Sequence, residues 1–85
     1  MTWTIRYERE AERAIDALDP VARKRVLLAI GALATDPRKA ANVTTMKGSD
    51  LYRLRVGDWR VVYALHEAVL TVLVVRIGHR REVYR

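Results

Sequence analysis

The 85-residue chain contains no cysteine, so neither a disulfide framework nor a thiolate nucleophile is open to it. Its two histidines, His66 and His79, stand apart with no partner at metal-ligand spacing, which argues against the common zinc sites. No apolar run approaches the ~20 residues needed to span a bilayer, and no N-terminal stretch resembles a signal peptide. Repeats, low-complexity tracts and glycine-rich phosphate loops are missing as well. These absences predict a cytoplasmic domain with no membrane contact, no metal and no cofactor. Half of the chain is apolar (51%), enough for one modest core and not for two, so residues 1–85 are expected to form a single domain.

What the chain does have is positive charge, unevenly placed. Residues 1–52 hold nine Lys/Arg against seven Asp/Glu, whereas residues 53–85 hold seven against three. All seven cations of that last third are arginines (53, 55, 60, 76, 80, 81 and 85). A guanidinium stays charged at any physiological pH and offers a planar fork of donors that matches phosphate oxygens. The net charge of +6 and a pI near 10.3 add a field that attracts polyanions and weakens with salt.

Periodicity supplies the frame. Residues 2–7 alternate and are rich in β-branched and aromatic types, which predicts a first strand. Residues 8–18 change to helical spacing, with Ala11, Ala14, Ile15 and Leu18 on one face and glutamates in the first turn. Asp19-Pro20 ends that helix and starts a second, Asp as N-cap and Pro at the first helical position. Its apolar stripe runs through Ala22, Val26, Leu27, Ile30, Leu33 and Ala34, leaving Arg23, Lys24 and Arg25 to solvent. Residues 38–50 read as a polar loop. From Leu51 the period becomes two. Gly57-Asp58 fits a type II′ hairpin turn, Trp59 to Leu65 returns as a strand, a turn near residues 66–68 follows, and Val69 to Ile77 reads as a central strand covered on both faces. The fold class is therefore α+β, in the order βααβββ. A helical hairpin packs on one face of a small sheet whose last three strands form an antiparallel meander.

The predicted turn places Arg55 opposite Arg60 and Arg53 diagonal to it, all on the face away from the helices. Like charges facing each other across a sheet cost roughly 0.2–1 kcal/mol, so the cluster invites a compensating anion. The plainer alternative is a solvated face whose arginine stems cover apolar surface. Tyr52, sharing the Leu54 face, is read as core. Trp59 is left between core packing and base stacking, and His66 is read as surface. Gly78 is taken to mark a tight turn or a close approach.

The run Leu51-Tyr52-Arg53-Leu54-Arg55-Val56-Gly57-Asp58-Trp59-Arg60-Val61-Val62-Tyr63, with the later Val74 to Tyr84, resembles the RelE branch of the RelE/ParE toxin superfamily. The helical hairpin and Lys47-Gly48 also fit, so the likeness spans the chain. It implies the toxin of a type II toxin–antitoxin pair, a metal-independent endoribonuclease that cleaves mRNA in the ribosomal A site and so inhibits translation. By position, Arg53 and Arg55 take the places of two basic residues that contact the scissile phosphate, and Arg60 that of a transition-state-stabilising arginine. Arg80 takes the place of a phosphate-stabilising or proton-donating group, and Tyr84 that of a C-terminal tyrosine that orients or stacks on the base. Lys47, His79 and Arg81 are further expected RNA contacts.

In such a reaction the 2′-hydroxyl attacks the adjacent phosphorus, giving a 2′,3′-cyclic phosphate and a 5′-hydroxyl, and preorganised cations meet the developing charge. Where well-known relatives carry lysine on the strand before the hairpin, this chain has arginine, a poor general base, so the base stays unassigned between Tyr84, His79 and the ribosome. The implied partners are a cognate antitoxin, RelB-like or of another class, the ribosome with its mRNA, and operator DNA reached through the antitoxin. Two rivals share the scaffold: a ParE-like, non-catalytic poison of DNA gyrase, and a module that only binds nucleic acid. The arginine set with Tyr84 favours the nuclease.

Overall fold

The computed structural model describes residues 2–79, so Arg80, Arg81 and Tyr84 lie outside the described residues. Within that span the order is β1 (Thr4–Tyr7), α1 (Arg9–Asp16), α2 (Pro20–Ala32), β2 (Val43–Thr45), β3 (Tyr52–Val56), β4 (Trp59–His66), a 3-10 turn (Glu67–Val69) and β5 (Thr71–His79). The α+β architecture with a helical hairpin on one face of the sheet is as the periodicity predicts.

Two features depart from the expected βααβββ order. The polar stretch read as a loop contains a short strand, β2, which pairs antiparallel with β3. The N-terminal strand also joins the sheet in parallel with β5, so the order across the sheet is β1-β5-β4-β3-β2 and the sheet is mixed. β5 is central as predicted, but starts at Thr71, because Leu70 takes a left-handed conformation (φ +45°) that closes the 3-10 turn. Its coverage is one-sided: Val72, Val74 and Ile77 are buried, while Arg76 is exposed and Leu73 and Val75 are half-buried.

The helices cover the other side of the sheet. Ala11, Ile15 and Leu18 from the first helical segment meet Val26, Ile30 and Leu33 from the second, and all six pack on Leu54, Val61, Tyr63, Val72 and Val74. Asp19 caps α2 through its Oδ1, which accepts the Ala22 amide at 2.9 Å, and Pro20 occupies the first turn where no amide partner is required. Arg23 is not simply solvated: its guanidinium donates to the carbonyls of Ile15, Asp16 and Leu18, satisfying the end of α1 and fixing the hairpin. Leu27, expected on the buried stripe, is 40% exposed.

Candidate nucleic-acid interface on the open sheet face

The hairpin between β3 and β4 sets the geometry. Gly57 has φ +61° and Asp58 does not share a positive φ, as a type II′ turn requires. The turn fixes the register Val56↔Trp59, Arg55↔Arg60, Leu54↔Val61 and Arg53↔Val62. Since side chains alternate across a strand, Leu54, Val56 and Val61 point to the helices, and Arg53, Arg55 and Arg60 share the other face.

The three arginines are held to different degrees. Arg55 is exposed, Arg53 half-buried and Arg60 only 7% exposed. Arg60 Nη1 donates to the carbonyl oxygens of Gly57 (3.3 Å) and Trp59 (3.2 Å), which pins the guanidinium over the turn. Gly78 lies directly across from Arg60 on β5, within the strand and not in a turn; its missing side chain favours the close-approach reading.

Together with Asn42 and Thr44, the three arginines line a cleft of about 290 Å³. Those two residues were not singled out from sequence. Asn42 immediately precedes β2 in a left-handed conformation (φ +67°), and its carbonyl accepts the Arg55 amide at 2.9 Å. An asparagine followed by three β-branched residues is a strand-entry signal that could have marked them. The cleft presents polar groups and fixed positive charge and no described carboxylate among its lining residues, a combination suited to an anion of phosphate type.

The remaining expected contacts are placed elsewhere. Lys47 is exposed in the β2–β3 turn, at the far end of β3 from Gly57. His79 pairs with Trp59 on the helix side of the sheet, ring centroids 5.6 Å apart in an edge-to-face contact, so it lies opposite the arginine face. The same contact settles Trp59, which packs against the core. Tyr52 stacks on Tyr63 at 5.5 Å and also packs on the core, and His66 is exposed. Among the described residues no group of His, Asp or Glu could hold a metal ion, and no helix is long and apolar enough to cross a membrane.

A helical hairpin on a five-stranded mixed sheet, with a cationic cleft beside the β3–β4 turn, defines a RelE-like toxin fold. The family profile for the ParE toxin of type II toxin–antitoxin systems matches residues 2–84, and the chain belongs to that family within the RelE/ParE toxin superfamily. Toxin RelG of Mycobacterium tuberculosis is 27% identical over 86 residues, covering 100% of this chain and 99% of the relative. RelE in the archaeal RelE–RelB complex from Pyrococcus horikoshii superposes with a TM-score of 0.81 at 26% identity, covering 94% of this chain and 97% of that one. A free E. coli RelE mutant gives 0.80 at 25% identity, with 99% and 92% covered.

Proposed function

We propose that this toxin is a ribosome-dependent, metal-independent endoribonuclease that cleaves mRNA and is held in check by a cognate antitoxin. The observation that carries the reading is the direct pairing of Arg55 with Arg60 at the mouth of a cleft shared with Arg53. As the 2′-oxygen attacks phosphorus, the phosphate acquires a second negative charge. Cations already in place stabilise it without reorganisation. Arg60, tied to two turn carbonyls, supplies a fixed guanidinium, with the half-buried Arg53 and the exposed Arg55 beside it. The 2′-hydroxyl proton must leave and the departing 5′-oxygen must gain one. Arginine does neither well at neutral pH, so taking up the 2′-hydroxyl proton and returning one to the 5′-oxygen fall to Tyr84 and to groups of the ribosome, while Arg80 is assigned to stabilising the phosphate by its position in the family pattern.

The ribosome completes the site in this reading, since no His/Glu dyad lines the cleft among the described residues. The P. horikoshii relative is seen with RelB, which supports an antitoxin partner here. An acidic, partly disordered antitoxin segment complements a +6 toxin. Purified protein added to translating ribosomes, followed by mapping of RNA 5′ ends, tests the proposal: cleavage of ribosome-bound mRNA is expected, slowed by about 10²–10³ in Arg55→Ala, with naked RNA cut poorly. Intact mRNA together with inhibition of DNA supercoiling by gyrase would move the chain to the non-catalytic branch.

A further inference from the structure

Every charged side chain on the strands, histidines aside, is an arginine, and none of the described strand residues is Asp or Glu. There are five: Arg6 on β1, Arg53 and Arg55 on β3, Arg60 on β4 and Arg76 on β5. Register places all five on the same face. Ile5 and Tyr7 pack on the core, so Arg6 points away from the helices. Arg76 faces Val62, which in turn faces Arg53, while the flanking Ile77 is buried opposite Val61. Arg53, Val62 and Arg76 therefore form a straight row across three strands, and Arg6 continues the basic face beyond it on β1.

Arg6 and Arg76 have no part in the cleft. Both are exposed, and neither guanidinium has an ion-pair or hydrogen-bond partner among the described residues. Among the described residues, the acidic ones are kept to helices, loops and turns. A sheet face whose described strand residues include five like charges and no opposite ones is complementary to a polyanion laid across it. Adjacent strands are about 4.8 Å apart, so the path from β3 over β4 and β5 to β1 crosses about 14 Å, and Arg6, paired with Leu73, also lies about 10 Å along β5 from Arg76, a span that a few successive nucleotides reach.

We infer that Arg6 and Arg76 form a second phosphate-binding strip, which holds the backbone of the RNA strand as it runs from the cleft across β5 to β1. The inference rests on the RNA-cleaving reading and extends it by assigning a path to the substrate. Arg6 and Arg76 are positioning residues that set affinity and direction, apart from the reacting phosphate.

The test compares a 2′-O-methyl RNA of about ten nucleotides, within the usual site sizes for single-strand binders, with one of about three that fills only the cleft. Affinity is measured against salt for the parent, Arg6→Gln/Arg76→Gln and Arg6→Lys/Arg76→Lys, each checked for an unchanged thermal midpoint. The Gln pair should bind the long RNA more weakly, with a log Kd against log salt slope smaller by about 1.4, near 0.7 per lost phosphate contact. Its affinity for the short RNA should be unchanged, and the Lys pair should recover the slope. Parental slope and affinity on the long RNA in the Gln pair overturn the inference while leaving the cleft reading intact. Failure of the parent to bind the long RNA also overturns the inference, whereas the cleavage reading stands or falls on the ribosome assay. Weaker binding of the cognate antitoxin with RNA affinity unchanged assigns the strip to the protein partner and also overturns it.

Discussion

Arg55 and Arg60 are direct partners across the β3–β4 ladder, one exposed and one buried. The pair separates what the cleft does from what holds it together. Arg55→Ala should lower ribosome-bound mRNA cleavage by about 10²–10³, the usual cost of one charge-stabilising donor, at an unchanged thermal midpoint. Parental cleavage by Arg55→Ala would remove it from the site.

Arg60 has a second task, because its guanidinium also binds the Gly57 and Trp59 carbonyls. Arg60→Ala should therefore lose activity and stability together, about 1.5–3 kcal/mol for hydrogen bonds to a charged group. Arg60→Lys keeps the charge without the fork. It should recover part of the midpoint in thermal unfolding and little of the cleavage rate.

Gly57 carries the register. At φ +61° a side chain is strained, and an added Cβ would stand 3.2 Å from Arg25 Nη2. Gly57→Ala should destabilise by about 1–2 kcal/mol, read as a midpoint drop of about 4–8 °C for each kcal/mol. A parental midpoint would show that the turn does not depend on glycine.

His79 should behave as a packing residue. Its edge-to-face contact with Trp59 is worth about 0.5–1.5 kcal/mol, so His79→Ala should lower the midpoint while preserving cleavage by the folded fraction. Loss of cleavage at full stability would return His79 to the RNA-contacting or proton-transfer role expected from sequence.

Tyr63 predicts an alkaline limit to stability. It is fully buried, its hydroxyl donates to the Pro37 carbonyl, and burial, with smaller contributions from Tyr52 and Asp36, raises its pKa well above the usual 10. The folded state then keeps a proton that the unfolded chain releases, so its contribution is complete below pH 10 and falls as pH rises above it. Tyr63→Phe should be less stable at neutral pH by about 1–3 kcal/mol through the unpaired carbonyl, and should show a shallower loss above pH 10 in denaturant titrations.

The hairpin was legible because two local signals agree: glycine at the turn and a period of two on either side fix Arg55 opposite Arg60 without further information. The helix boundary at Asp19-Pro20 was legible for the same reason. β2 was not, since three residues at a sheet edge are too few to show alternation. Their strand conformation comes from pairing with β3 and the Asn42–Arg55 backbone bond. The parallel pairing of β1 with β5 joins segments far apart in sequence and leaves no local trace. The side on which His79 falls depends on that central strand's register, including the irregularity beside Val62 and Tyr63, which alternation alone does not place.

The parallel β1–β5 pairing also has a bearing on when the toxin becomes a toxin. Among the described strands, β1 has its sheet partner in β5, and the cost of closing so large a loop must be met before that pairing returns anything. A partly made chain can form its helical hairpin early, but β1 stays without its sheet neighbour and the arginine face stays unassembled. A protein whose proposed target is the machine that makes it thus completes this sheet only once β5 has been translated. That delay gives an antitoxin already present in the cell time to meet it.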